Sequence, residues 1–440
     1  MSLKSKYETL YEKMMNEEDA RVCKAIDEKA CKVVPGNFFL TLISYFFNKL
    51  ADSIANMKLI IPWIMESLNV PLFLISFLVP IKESGSLIPQ LLIGAFVRKL
   101  PIRKYVWCIG SLLQACCMIG IGIVAWNMDG LNAGIAIIIL IIMLSLSRGL
   151  NSVAAKDVLG KTIPKSRRGA LNGYSGSFAG LIVIILGIYF LLVGEKPFSP
   201  QNFGVLLFIA GFFWILAAFA YSNIEEQKGE TDGGGNALKV AFKKLSLLKT
   251  DSNFRLFVIT RALFLCSVLS APFFVIIAQQ HSSSNVYLLG LFILSSGFAD
   301  FSSSIFWGKL SDVSSKKAMI LGAKISTLLG FFVFFLDTFY EHIFSIIWIM
   351  PLIYFVLTVG YQGIRIGRKT YLVDLAGGNK RTDYVAVSNT IIGIVLLFTG
   401  LIGVLHSVIG LSGIILLLSL CGVVGIILAS KLPELDDEIT

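Results

Sequence analysis

The sequence predicts an all-α membrane protein with twelve transmembrane helices arranged as two pseudo-symmetric six-helix bundles. Hydrophobic residues make up 55% of the 440 residues and charged residues only 15%, whereas soluble domains are typically under half apolar and about a quarter charged. Long apolar runs recur along the chain, and a backbone in lipid satisfies its hydrogen bonds internally by forming helices. Basic residues fall in alternate loops, and the two halves repeat. Together these features exclude a soluble globular fold.

Twelve apolar runs are each long enough to cross a bilayer core, which needs roughly 20 helical residues. Numbered as spans 1 to 12, they cover residues 37–64, 71–97, 104–126, 132–157, 170–193, 202–222, 254–279, 287–308, 317–338, 343–365, 383–405 and 408–431. A polar stretch with three consecutive glycines separates span 6 from span 7 and is typical of a linker. The predicted domains are a cytoplasmic tail (1–36), a first bundle (37–222), a cytoplasmic linker (223–253), a second bundle (254–432) and a cytoplasmic tail (433–440).

The distribution of basic residues predicts the orientation of the spans. Nearly all of the 38 Lys and Arg residues lie in loops on one side of the twelve-span arrangement, and Lys196 is the one basic residue on the other side. By the positive-inside rule, both termini are expected in the cytoplasm. Topology thus explains the net charge of +10. Because the basic residues are spread over separate short loops, we expect the lipid bilayer as a partner and no nucleic acid.

The two halves of the chain repeat at a constant offset of 214 residues. The offset relates glycines and loop cations that occupy the same place in each half. The pairs are Gly94 with Gly308, Arg103 with Lys317, Gly149 with Gly363 and Arg167 with Arg381. Parallel repeats of six helices, with a site between the halves, are one known way to build a transporter.

The loop between spans 8 and 9 reads GKLSDVSSKK from Gly308 to Lys317. It resembles the major facilitator superfamily motif G-x-L-a-D-r-x-G-R-R, with departures at Val313 and Ser315. The first-half copy has Arg98 where that family usually has Asp. The resemblance covers residues 37–432 and extends to unassigned bacterial permeases. It implies a monomeric secondary transporter of the bacterial inner membrane that works by alternating access, and it names no substrate.

The same resemblance implies a gate at this loop. Asp312 would meet helix N-terminal N–H groups or a loop cation, and such contacts would hold one state of the transporter and break in the other. The alternative for Lys316 and Lys317 is that they only anchor the topology. The predicted gating residues are Gly308, Asp312, Lys316, Arg167 and Arg381.

Ionisable residues inside the spans indicate a site, because they are costly in lipid and usually face a cavity or one another. There are six cations and three acids: Lys49, Lys58, Lys82, Arg148, Arg261, Lys324, Asp52, Glu83 and Asp300. This surplus of cations predicts an anionic or zwitterionic small-molecule substrate, such as a carboxylate or phosphate, and Arg suits bidentate contact with such groups.

Spacing and the resemblance together select the candidate binding residues. Lys49, Asp52 and Asn56 share one face of a helix, whereas the adjacent Lys82 and Glu83 do not face each other and need partners elsewhere. In an unbroken helix Lys58 lies nearly opposite Lys49, so we expect it at the rim. The predicted substrate-binding residues are Lys49, Asp52, Asn56, Lys82, Glu83, Arg148, Asn151 and Arg261.

Other interpretations of these charges stay open. Lys49 and Asp52 could form a neutral pair that makes span 1 tolerable in lipid, and Arg261, Asp300 and Lys324 could belong to a packing network or a gate. If the site couples transport to protons, the candidate carriers are Asp52, Glu83 and Asp300, since desolvation and nearby cations shift carboxyl protonation in opposite directions.

The sequence contains no phosphate-binding loop for ATP, no metal-ligand spacing within a span and no catalytic constellation. We therefore expect neither an enzyme nor a cofactor. Two alternatives to uptake or exchange of a small solute remain: an exporter of amphipathic compounds or lipids, and a transporter-like receptor that moves nothing.

Overall fold

The computed structural model describes residues 33–89, 93, 94, 96, 97, 99–193, 199–229, 231, 245–281, 286–375 and 381–434. Most of the predicted N-terminal tail and part of the predicted linker lie outside these residues. Within them, helix occurs at every one of the twelve predicted spans. The all-α membrane fold predicted from composition is confirmed.

The helices of the first half follow the predicted spans closely. They are α1 (Val34–Ile54), α2 (Ile60–Ser67), α3 (Leu72–Ile75), α4 (Leu78–Leu87), α5 (Lys104–Asn127), α6 (Gly130–Thr162), α7 (Lys165–Val193) and α8 (Pro200–Ser222). Span 1 is thus formed by α1 and α2, and span 2 includes α3 and α4.

The second half has a similar series of helices. They are α9 (Leu247–Thr250), α10 (Ser252–Leu263), α11 (Cys266–Leu269), α12 (Ala271–His281), α13 (Val286–Val313), α14 (Ser315–Phe339), α15 (Ile349–Leu375), α16 (Arg381–Thr399) and α17 (His406–Ser430), with 3₁₀ turns at Glu341–Ser345 and Gly400–Leu405. Seven helical stretches of the described chain are long and apolar enough to cross a membrane, and one of them, Val387–Ser430, contains spans 11 and 12.

Spans 1 and 7, the first span of each half, are both broken, at positions that overlap only in part under the offset of 214 residues. Span 1 leaves the helix between Ile54 and Ile60, and span 7 is interrupted between α10 and α12. A proline lies in the first turn of the helix after each break, Pro62 in α2 and Pro272 in α12. Because proline lacks an N–H and its ring clashes with the carbonyl four residues earlier, it favours a break at that point. Each half therefore begins with a span that is interrupted shortly before a proline.

The repeat also appears in the packing between neighbouring spans. A Cβ atom on Gly149 would lie 3.0 Å from Ile93, and one on Gly363 would lie 2.8 Å from the Trp307 ring. Residues 93 and 307 differ by the same 214 positions as residues 149 and 363. In each half, a glycine of the fourth span thus permits close contact with the equivalent residue of the second span.

The apolar core joins the two halves at one end of the molecule only. We call the end of the molecule where α6 meets α7 and where α13 meets α14 the basic face, and the other end the opposite face. Toward the opposite face, one continuous cluster includes residues of both halves, such as Trp63, Ile75, Phe274 and Phe292. Toward the basic face, the described core divides into clusters that each belong to a single half.

Two pairs of spans make most of the contact between the halves. Span 2 packs on span 11, where Ser76 Oγ donates a hydrogen bond to the Gly400 carbonyl at 2.8 Å. Span 5 packs on span 8, where Gly187 lies against Leu294. Under the repeat, span 2 corresponds to span 8 and span 5 to span 11, so the two contacts are pseudo-symmetric equivalents. Both lie toward the opposite face, which is therefore the closed end of the structure.

Candidate functional site

A cavity of about 770 Å³ lies between the two halves, where the core divides. Spans 1, 5, 8 and 10 form its wall. Its polar and charged lining residues are Lys49, Asp52, Ser53, Asn56, Ser296, Asp300, Ser304 and Arg365. The face of span 1 predicted from residue spacing therefore lines the central cavity.

Asp52, on the first-half wall of this cavity, forms an ion pair with Arg148 of span 4. Arg148 Nη1 donates to Asp52 Oδ1, and the two side chains are 34% and 22% exposed. On the same face of span 1, Lys49 Nζ donates to Ser175 Oγ of span 5 at 2.8 Å. The carboxylate of span 1 is thus neutralised by a residue nearly a hundred positions away, while remaining accessible to a solute.

A second compartment of about 390 Å³ lies inside the first half, between spans 1, 3 and 4. Lys49 lines both this compartment and the central cavity, and Arg148 and Asn151 line this one. Asn151 Nδ2 donates to Ser111 Oγ at 2.8 Å, and its buried Oδ1 has no hydrogen-bond partner in the described part of the chain. Three predicted binding residues therefore share this compartment.

Lys82 and Glu83 are held beside span 4 by backbone contacts. Ser145 Oγ lies within hydrogen-bond distance of the carbonyls of Ile81 and Lys82, at 2.9 and 2.7 Å. Both charged residues are half-buried and lie close enough to Arg148 to interact with it electrostatically. Lys82 and Glu83 also interact electrostatically with each other, so their charge interactions lie both within span 2 and across to span 4.

The second-half wall presents charged groups that lack ionic partners. Asp300 of span 8 accepts a hydrogen bond from Gln362 Nε2 of span 10. Arg365, three residues later, is exposed to the same cavity. Among the described residues, neither Asp300 nor Arg365 forms a salt bridge.

The position of Lys58 differs from the rim position expected for an unbroken helix. Its Nζ lies 3.8 Å from the centroid of the Tyr361 ring in span 10. Its backbone N–H donates to Asn56 Oδ1 at 2.9 Å within the helix break. Because the break changes the helical phase, the side chain reaches across to the second half, and Pro62 is the sequence signal that could have predicted this.

Arg261 lies buried between spans 7 and 11. Its Nη1 donates to Ser388 Oγ at 2.6 Å, and its Nη2 donates to Asn389 Oδ1 at 3.0 Å. The residue is 8% exposed, and its Nε has no partner in the described part of the chain. A neutral hydroxyl and a neutral amide therefore hold this cation.

The predicted gating residues are described only in part. The side chains of Asp312, Arg167 and Arg381 lie outside the described residues. Lys316 Nζ donates to the Leu432 carbonyl at 2.6 Å and lies 3.5 Å from Glu434, both within the second half. A Cβ added to Gly308 would meet no described atom within 4 Å.

The first half contains a similar contact that the sequence did not reveal. The fully buried Glu226, just after span 6, accepts from the backbone N–H groups of Arg103 and Lys104 at 2.9 and 2.7 Å. Lys161 Nζ also lies 3.1 Å from it. In each half, an acidic residue after the last span is thus tied to the start of the third span.

Three residues of span 10 lie at the site although no sequence pattern singled them out: Tyr361, Gln362 and Arg365. The apolar run of span 10 ends at residue 365, so Arg365 was not counted among the charges inside the spans. The helix continues to Leu375 and keeps Arg365 on the cavity wall. The helical pattern continues beyond residue 365 and could have predicted the longer helix. The change in hydropathy at that point made span 10 look shorter than it is.

Comparisons with known proteins agree with this architecture. A family profile described as Major Facilitator Superfamily matches residues 41–400. No curated protein matches the sequence at a significant level.

Several solved structures share the fold at low sequence identity. A POT family transporter in complex with 5-aminolevulinic acid has a TM-score of 0.68 at 11% identity, over 89% of this chain and 94% of that one. A D-xylose–proton symporter has a TM-score of 0.65 at 14% identity, over 91% and 98%. The xylose transporter of E. coli, in a partially occluded inward-open conformation, has a TM-score of 0.63 at 13% identity, over 91% and 98%.

Proposed function

The chain belongs to the Major Facilitator Superfamily of secondary transporters, and on that premise we propose that it moves a small anionic or zwitterionic solute across the bacterial inner membrane by alternating access, coupled to protons. The observation that carries the proposal is the Asp52–Arg148 ion pair, in which Asp52 lines the cavity between the two halves and Arg148 lines the adjoining compartment of the first half. The wall of this cavity has two cations, Lys49 and Arg365, and two acids, Asp52 and Asp300. Over the predicted spans as a whole, cations outnumber acids by six to three, which favours a solute carrying negative charge.

The positive-inside rule places the basic face in the cytoplasm. The continuous apolar core then closes the outer end, and the divided core leaves the halves apart on the cytoplasmic side. This arrangement corresponds to an inward-facing state. Transport would require a rigid-body movement of the two halves. In that movement the contacts of span 2 with span 11 and of span 5 with span 8 would separate, while the cytoplasmic ends of the halves approach each other.

The solute and the Asp52 carboxylate would compete for Arg148, and solute binding would thereby promote protonation of Asp52. A carboxylate or phosphate that binds Arg148 replaces Asp52 as the partner of the guanidinium, because Arg binds both groups through the same bidentate geometry. Without its cationic neighbour, the Asp52 carboxylate binds a proton more readily in a site of low polarity. Solute binding and protonation are then linked, as proton-coupled transport requires.

Purified protein in liposomes filled with a pH-sensitive dye provides the test. Carboxylates, phosphates and amino acids are added outside one at a time, and internal acidification reports solute-dependent proton movement. We expect a subset of these solutes to acidify the lumen with the wild type and none to do so with Asp52→Asn. The matched control is Lys324→Gln, which removes a charge from an exposed position of span 9.

Separate results would contradict separate parts of the proposal. Solute accumulation without proton movement, measured on the same liposomes, would show that transport is not coupled to protons. If the protein moves only amphipathic compounds or lipids, the proposal of an anionic solute is wrong and an exporter is favoured. The absence of any flux, together with specific binding of a ligand, would favour a receptor.

A further inference from the structure

A second, smaller cavity adjoins the central one and has an unusually polar wall. Its volume is about 140 Å³, enough for several water-sized groups. Asn56, Ser296, Asp300 and Arg365 line both cavities. A solute could therefore place a polar end in the small cavity and the rest of its structure in the large one.

The charges around the small cavity are not neutralised by one another. Lys58 and Arg365 contribute two positive charges, and Asp300 contributes one negative charge. In the described part of the chain, none of the three takes part in a salt bridge. Unpaired charges inside a membrane protein usually mark a substrate or ion site, so this arrangement indicates a ligand that carries both signs of charge.

Gln362 gives an independent indication of the ligand's chemistry. It is 2% exposed, and its Nε2 donates to Asp300. Its Oε1 is buried and has no donor in the described part of the chain. A buried acceptor without a donor is costly, and an N–H group of a bound ligand could satisfy it.

The Tyr361 ring explains how Lys58 keeps its place in the absence of a solute. The ammonium 3.8 Å from the ring centroid is stabilised by a cation–π interaction. This contact does not neutralise the positive charge. Lys58 therefore remains available to bind a carboxylate while already positioned across the interface between the halves.

A purely anionic ligand would leave the charge of Asp300 uncompensated and Gln362 Oε1 without a donor. A purely cationic ligand would leave the charges of Lys58 and Arg365 uncompensated. We propose that the small cavity binds the head of a zwitterionic amino acid, with its carboxylate between Lys58 and Arg365 and its ammonium at Asp300 and Gln362. This inference rests on the proposed transport function and narrows its substrate class from anions in general to amino acids.

Binding to the detergent-purified full chain, measured by isothermal titration calorimetry, tests the inference. The probes are the common α-amino acids, each compared with the acid that lacks its amino group and the amine that lacks its carboxyl group. We expect at least one amino acid to bind at least about tenfold more tightly than both matched probes. Asp300→Asn should reduce that preference over the deaminated acid, and Arg365→Gln should reduce the preference over the amine.

Two control variants separate these effects from misfolding. Lys324→Gln and Asp337→Asn change charges on span 9 outside the small cavity, and both should retain the preference for the amino acid. If deaminated acids bind as tightly as amino acids, the zwitterion inference is wrong, whereas an anion transporter remains. If none of the amino acids binds, the inference is also wrong, and the liposome assay with carboxylates and phosphates decides separately whether the proposed function survives.

Discussion

The two halves of this repeat handle charge inside the membrane in different ways. In the first half, Asp52 is paired with Arg148 across two spans. In the second half, Arg261 is held by a hydroxyl and an amide, and Asp300 by the amide of Gln362. An ion pair can exchange one partner for a solute or a proton, whereas neutral partners hold a group in place without cancelling its charge. The first half is thus suited to switching and the second to recognition.

The largest expected effect comes from breaking the ion pair. Asp52→Asn or Arg148→Gln should slow transport by about 30-fold or more, the factor that corresponds to about 2 kcal/mol for an unpaired partner. Each variant should also lower the melting temperature, because it leaves one half-buried group without its counter-charge. Initial rates in liposomes and thermal unfolding in detergent measure the two effects.

The double variant Asp52→Asn/Arg148→Gln distinguishes the two roles of the pair. Its melting temperature should recover toward the wild-type value, since no unpaired charge remains, but its transport should not recover. A double variant that transports at the wild-type rate would show that the pair is only structural.

A smaller effect, on the free energy of unfolding, is expected for the two acidic residues that join the last span of each half to its third span. The Glu226 carboxylate is fully buried and accepts backbone N–H groups at the start of α5, whereas Glu434 is 47% exposed. Glu226→Gln should cost about 2 kcal/mol, because a buried charged acceptor is lost. Glu434→Gln should cost under about 1 kcal/mol, as for an exposed ion pair. Equal losses in chemical denaturation would contradict this contrast in burial.

Repeat-equivalent glycines allow a comparison within the packed core. At Gly363, a methyl group would meet the rigid, fully buried Trp307 ring at 2.8 Å, and Gly363→Ala should destabilise by about 2 kcal/mol through overpacking. At Gly149, the contact is the terminal methyl of Ile93, which can rotate away. Gly149→Ala should therefore be neutral or stabilising by up to about 1 kcal/mol, because alanine favours a helix. Melting temperatures of the two variants would decide, and a larger loss at Gly149 would contradict the prediction.

The sequence predicted the helices well because apolar length and loop charge act locally. It also singled out both members of the Asp52–Arg148 pair, but not their pairing, which depends on how two distant spans rotate against each other. Lys58 was misplaced because the effect of Pro62 on helical phase was not considered, and Arg365 because the helix outlasts its apolar run. Closure at the opposite face depends on contacts between the halves, which neither half encodes alone.

The smallest expected effect concerns Arg261, for which binding of a solute and a structural tie between spans 7 and 11 are alternatives. Ser388→Ala removes the hydroxyl 2.6 Å from Nη1 and should cost about 1 kcal/mol if the tie is structural. Ser303→Ala is the matched control, since that buried hydroxyl bonds only to its own helix at the Ala299 carbonyl. Ser388→Ala could instead leave the melting temperature unchanged and weaken solute binding. That result would place Arg261 in the binding site, because its guanidinium would then contact the solute rather than join two helices.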